Sequence, residues 1–205
     1  MKKWILLAGA IVIALVIITK TDAKIEIPQN AVILAFGDSL TEGYGAKEDE
    51  SYPVRLGKIL NMQVINAGIS GEVTQKGAAR LPSLLDEIKP DIVILCHGGN
   101  DIIRKYDLQK TKQNLAYMIN LIRNKNAVVI LVGVPSFNGF LIDTNDIYDE
   151  LADEYNLIYE DAVLSEIIKS PALKYDQIHP NAAGYGLMAE NLAKLFNKYF
   201  NIADR

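Results

Sequence analysis

Four short segments of this chain hold side chains suited to acyl transfer, and each lies at the edge of an apolar run or just before a helical pattern. The first is Phe36-Gly37-Asp38-Ser39-Leu40. A serine hydroxyl is a weak nucleophile until a base takes its proton. The fourth, Asp176-Gln177-Ile178-His179-Pro180, offers that base, since imidazole is the side chain that exchanges protons near neutral pH. Asp176 stands three residues before His179, close enough for both side chains to converge from one turn. From there its carboxylate can fix the imidazole tautomer and stabilise the cation. The negative oxygen of a tetrahedral intermediate also needs donors. The second segment, Asn66-Ala67-Gly68-Ile69-Ser70-Gly71-Glu72, supplies Gly71 for this, and the third, His97-Gly98-Gly99-Asn100-Asp101, supplies Asn100. The N–H of Ser39 completes the set.

Each segment alone has a plainer reading. Gly-Asp-Ser describes a turn with a helix-capping serine, Asn100-Asp101 a tight turn, and Asp176 with His179 a cap beside a surface histidine. Their joint order, each where a loop leaves a strand or meets a helix, favours the catalytic reading. The chain has two histidines. His97, beside the asparagine block, is expected to line the substrate pocket, with a part as rival base as the alternative. Tyr44 is read as a pocket-lining residue, with simple packing as the alternative. Asp38 is expected to bond backbone N–H groups of its own loop. No paired His-x-x-x-His spacing appears, so no metal site is expected, and no Gly-x-Gly-x-x-Gly follows the first strand to hold a dinucleotide. The Gly-x-Ser-x-Gly elbow of other serine hydrolases is absent. No cofactor is called for.

These residues need a scaffold that brings distant segments to one edge. Short β-branched runs at Ala31–Phe36, Gln63–Asn66, Asp91–Cys96, Ala127–Val132 and Leu157–Tyr159 read as parallel strands buried on both faces. Helical patterns lie at Tyr52–Leu60, with Pro53 at the start where its missing N–H costs nothing, and at Gln75–Ile88, which Pro82 should bend or split. Others lie at Asp107–Asn124, Thr144–Tyr155 and Asn181–Tyr199. The alternation predicts a three-layer α/β/α domain on a mostly parallel five-stranded sheet. Ligands of such sheets bind beyond the carboxyl ends of the strands, where the four segments fall.

The chain has 205 residues, half of them apolar, with 21 basic and 25 acidic side chains. That suits one domain able to bury a core without disulfides or metals, and no basic block suggests nucleic-acid binding. The single cysteine, Cys96, rules out a disulfide within the chain and reads as a small buried hydrophobe rather than a reactive thiol. Lys2 and Lys3 precede an apolar run from Trp4 to Ile18 that has the shape of an export signal. The run is shorter than the ~20 residues that usually span a bilayer. Residues 1–23 therefore read as a cleaved signal or a retained membrane anchor, with the body on the far, periplasmic or extracellular, side of the membrane. Residues 24–30 read as a linker, and 31–205 as the catalytic domain.

The four segments in this order resemble the SGNH, or GDSL, hydrolase family, over about residues 31–199. Gly43-Tyr44 and Gln75-Lys76-Gly77-Ala78-Ala79-Arg80-Leu81-Pro82 are similar to its bacterial thioesterase/lysophospholipase/arylesterase subgroup. The resemblance implies a flavodoxin-like strand order 2-1-3-4-5. It implies Ser39 as nucleophile, Asp176 and His179 as its partners, and an oxyanion hole of Ser39, Gly71 and Asn100. The substrate it implies is a small ester or lipid. Cys96-His97 departs from the acidic and apolar pair common in close relatives, which bears on substrate preference. Two other readings share the fold: a carbohydrate O-deacetylase acting on cell-wall sugar, and a membrane-tethered binding module that has lost turnover.

Overall fold

The computed structural model describes residues 23–138 and 141–203. In chain order the elements are β1 (Ile25–Ile27), β2 (Val32–Gly37), α1 (Ser39–Glu42), α2 (Tyr52–Leu60), β3 (Gln63–Gly68), α3 (Thr74–Ile88), β4 (Ile92–Cys96), α4 (Gly99–Ile103), α5 (Leu108–Asn124), β5 (Val128–Val132), β6 (Pro135–Asn138), β7 (Leu141–Thr144), α6 (Asp146–Tyr155), β8 (Ile158–Glu160), α7 (Val163–Lys169), α8 (Ala182–Tyr199) and β9 (Phe200–Ile202). The five predicted strands form one parallel sheet in the order β3-β2-β4-β5-β8. That is the expected order 2-1-3-4-5, counted over the strands of this sheet.

The sheet is held mainly by burial of its central strands. Leu34, Ala35 and Phe36 on β2, Ile92 to Cys96 on β4, and Ile130 to Val132 on β5 are removed from solvent. Each fully buried Leu or Ile of this kind contributes roughly 1.5–3 kcal/mol. Cys96 is among them, and burial pushes its thiol well up, which suits an inert core residue.

Right-handed crossovers decide the layers. From β2 the chain steps through α2 to β3, then reverses through α3 to β4, so α2 and α3 cover opposite faces. Helix α8 packs on α2, while α5 packs on α3 and α6. Strand order therefore reverses at β2, and Ser39 begins the helix that follows its carboxyl end.

Several sequence expectations change. Pro82 does not split α3, which runs unbroken from Thr74 to Ile88. Leu81 and Leu85 are buried on either side of it, so packing offsets the one ladder bond that proline removes. The helix expected from Thr144 starts later, at Asp146, capped by the Asn145 side chain on the Ile147 N–H (3.2 Å). The residues ahead of it, β7, pair antiparallel with β6. Residues 24–30, read as a linker, contain β1, which pairs in parallel with β9. Ile27 and Phe200 are buried at this pairing, and Phe200 stacks on Phe196 with ring centroids 4.8 Å apart. The apolar run at 4–18 lies outside the described residues. Among those described, no helix is long and apolar enough to cross a membrane.

Candidate active site

The serine turn begins with a steric requirement. A side-chain carbon at Gly37 would run into the Cys96 carbonyl and Thr41 Oγ1, so only glycine lets the end of β2 lie this close to β4 and α1. The buried Asp38 side chain then caps α1 by accepting the Leu40 N–H (3.1 Å), the role the sequence suggested. Burial raises its carboxyl above the usual carboxylate range, and the Leu40 hydrogen bond offsets only part of that rise. The result is a serine at the first position of a one-turn helix, facing the loops of the other strands.

Ser39 Oγ lies 3.0 Å from His179 Nε2, and His179 Nδ1 lies 2.8 Å from Asp176 Oδ2. A carboxylate only accepts, so Nδ1 carries the hydrogen and Nε2 is left to accept from Ser39. The other Asp176 oxygen accepts the N–H groups of Ile178 (2.9 Å) and His179 (2.8 Å). Partial burial pushes the Asp176 carboxyl up. The Ile178 N–H, the His179 imidazole and the His179 N–H outweigh that and hold it below its ordinary value. Pro180 and the Asn181 cap of α8 follow directly, and the Asn181 amide donates to the carbonyls of Ala172 (2.9 Å) and Lys174 (3.2 Å). The base thus sits on a short loop clamped to the start of a long helix.

Asn100 opens α4 in the wall of the same cleft. Its Nδ2 donates to the Glu72 carbonyl (3.0 Å), and the second hydrogen faces Asp38 Oδ2 at the longer distance of 3.3 Å. Asp101 turns the other way. It is buried and accepts the Thr74 N–H (2.9 Å) and Thr74 hydroxyl (2.6 Å), tying α4 to the start of α3. Gly71 stands on the adjoining exposed loop with φ +74°, a conformation that favours glycine. The Glu72 N–H closes this loop on the Ile69 carbonyl (3.1 Å), and Arg104 Nη2 donates to the Gly71 carbonyl (3.0 Å).

A narrow cleft with a cavity volume of about 30 Å³ opens beside these residues. Ser39, Asn100 and His179 stand at its polar side, and Ile103, Val134, Ile168 and Ile178 form an apolar wall. The arrangement can activate a hydroxyl at one point and presents an apolar surface beside it. Among the described residues no group of His, Cys, Asp and Glu could hold a metal ion.

The two expected pocket residues do not join that wall. Tyr44 is half exposed and packs at a tilt against His179, ring centroids 4.6 Å apart and planes 49° from parallel. His97, expected to line the pocket, is instead wholly buried behind the site. It bonds Glu72 at 3.1 Å, and its burial also removes it as a rival base. The wall residues Ile103, Val134 and Ile168 escaped the sequence reading, and the supports Glu72 and Arg80 entered it only as members of motifs, with no role. Ile168 lies on α7, which had no strong helical signal. Glu72 had only its place next to Gly71.

Comparison with known proteins places the chain among relatives of the same family and fold. The model of the GDSL-like Lipase/Acylhydrolase family matches residues 35–187. An arylesterase of Vibrio mimicus is 33% identical over 177 residues, covering 82% of this chain and 88% of the relative. Thioesterase 1/protease 1/lysophospholipase L1 of Escherichia coli strain K12 is 31% identical over 176 residues, covering 82% and 85%. The crystal structure of TesA matches with a TM-score of 0.74 at 27% identity, over 82% of this chain and 99% of TesA.

The depressed Asp176 carboxyl fixes the sign of a pH effect. A carboxyl held below its unfolded value of about 3.8 stabilises the fold above that pH and loses the contribution as pH falls through its lower folded value. Thermal melts between pH 6 and pH 2.5 should therefore show a steeper acid loss in the wild type than in Asp176→Asn. Parallel curves would mean that this carboxylate is not paired in the folded protein.

Proposed function

The chain belongs to the GDSL-like Lipase/Acylhydrolase family, and from that membership we propose that it hydrolyses carboxylic esters through an acyl-Ser39 intermediate. The observation that carries this is the unbroken line from Ser39 Oγ to His179 Nε2 and from His179 Nδ1 to Asp176. Ser39 Oγ attacks the ester carbonyl while His179 Nε2 takes its proton. The charge on the tetrahedral oxygen falls on the N–H groups of Ser39 and Gly71 and on Asn100 Nδ2. The intermediate collapses, the bond to the leaving oxygen breaks, and His179 returns the proton to the departing alcohol. Water then adds to the acyl-serine with His179 as base, and the acid leaves. Asp176 holds the imidazole in the required tautomer and offsets its charge throughout.

The apolar wall of Ile103, Val134, Ile168 and Ile178 suits an aliphatic acyl chain. Relatives named arylesterase and thioesterase/lysophospholipase support acyl esters of small alcohols or lipids as the substrate class. Tyr44, whose ring packs at a tilt against His179, supports a contact with the leaving group on that side of the imidazole.

Export belongs to the same reading, supported by Lys2 and Lys3 ahead of the apolar run from Trp4 to Ile18. Fractionation of cells making the full chain should recover esterase activity with the membrane or outside it, and activity confined to the cytoplasm would contradict this.

The chemical proposal is tested by p-nitrophenyl ester hydrolysis. Ser39→Ala should abolish turnover, and Asn100→Ala should lower kcat by ~10²–10³ with the thermal midpoint retained. Near wild-type rates in either variant would overturn the assigned role.

A further inference from the structure

Behind Asn100 lies an ionic cluster that takes no direct part in the mechanism above. The Glu72 carboxylate is buried and accepts from Arg80 Nε at 2.8 and 2.9 Å, with Arg80 Nη2 2.7 Å away. His97 Nε2 approaches the same carboxylate at 3.1 Å. The Gly98 N–H donates to His97 Nδ1 (2.9 Å), so Nε2 carries the ring hydrogen and must be the donor to Glu72.

Each partner is fixed in turn. Arg80 Nη2 also donates to the carbonyls of Ala67 (2.9 Å) and Gly37 (3.2 Å), and its guanidinium lies 4.1 Å over the Phe36 ring. His97 has room because α3 carries glycine at position 77, where any side-chain carbon would collide with His97 Nε2. The His97 carbonyl accepts from the buried Tyr148 hydroxyl (2.8 Å).

The output of this cluster is a backbone atom. The residue whose carboxylate is clamped, Glu72, presents the carbonyl that receives Asn100 Nδ2 (3.0 Å), and its N–H closes the turn that contains Gly71. We propose that Glu72 is a positioning residue, clamped by Arg80 and His97, which sets the Gly71 loop and the Asn100 amide together for the oxyanion. One amide hydrogen of Asn100 is bound by the Glu72 carbonyl at 3.0 Å, and the other, held more loosely 3.3 Å from Asp38 Oδ2 in the serine loop, is the one that exchanges Asp38 for the oxyanion. Burial alone would raise the Glu72 carboxyl. The hydrogen bonds from His97 and Arg80 outweigh it, and the group stays a carboxylate. The Cys96-His97 departure thereby acquires a physical role, with His97 a donor in the support of the oxyanion hole.

This rests on the proposed role of Asn100, and a double-mutant cycle separates the two ideas. Initial rates on p-nitrophenyl butyrate are measured with the full chain for Glu72→Ala, Asn100→Ala and the double variant, with a thermal melt of each. The expected result is a kcat loss of roughly 10- to 100-fold in Glu72→Ala with KM within about threefold, smaller than the loss of one donor. The double variant should lose clearly less than the product of the two single losses, because groups acting through one contact are not additive. Losses that multiply in full would show that Glu72 acts independently of Asn100 and would overturn the inference. A fully active Asn100→Ala would instead overturn the oxyanion assignment beneath it. Should Glu72→Ala fail to fold, the pair His97→Gln and His97→Leu decides. The amide can still donate to Glu72 and should keep at least tenfold more kcat than the leucine variant, and equal rates would refute the role of His97.

Discussion

A hydroxyl and an imidazole 140 positions apart in the chain stand 3.0 Å from each other, and much of the architecture can be understood as the means of keeping them there. The hydroxyl is delivered by a strand buried on both faces that ends at a glycine able to touch its neighbours. The imidazole is delivered by a loop stitched to the cap of α8. That helix crosses back to pack on α2, so the two halves of the dyad are joined through the sheet and one helical layer. The hydroxyl of Tyr185, on α8, donates to the Tyr44 carbonyl (2.7 Å) just past the serine helix, a direct link between the two carriers.

Around this pair the polarity is divided with little waste. Core positions next to the site hold apolar side chains, while polar ones are paired: Asp38 caps α1, Asp101 caps α3, and Glu72 is bound by Arg80 and His97. A buried charge left unpaired costs several kcal/mol, so these groups are retained in mutually satisfied sets. Fixed dipoles of this sort need no reorganisation when charge develops on a substrate oxygen, which is why a prearranged site outperforms water.

What the sequence made legible was whatever is encoded locally. The five short strands and the long helices follow from continuous β-branched runs and helical spacing, and the segments with Ser39, Asn100, Asp176 and His179 stand out because glycines and strand ends bracket them. The missing features depend on partners far away in the chain. The β1–β9 pairing joins residues from both ends. The β6–β7 pairing is the exception, since Asn138-Gly139 is a local turn signal and the strands on either side of it went unread. His97 looked like a pocket residue because it adjoins the asparagine block. Its side chain turns inward only because Gly77, on another element, leaves the space. Glu72 and Arg80 are eight residues apart, one on a loop and one on a helix, and no period connects them.

Catalysis as described requires that one carbonyl be met at once by the Ser39 oxygen and by the three donors. A crystal structure of the full chain after reaction with an alkyl phosphonate ester examines this directly. Phosphorus should be bonded to Ser39 Oγ, with the phosphoryl oxygen at about 2.7–3.1 Å from the Ser39 N, the Gly71 N and Asn100 Nδ2. Phosphorus on any other side chain, or a phosphoryl oxygen turned to solvent away from Asn100, would refute the arrangement.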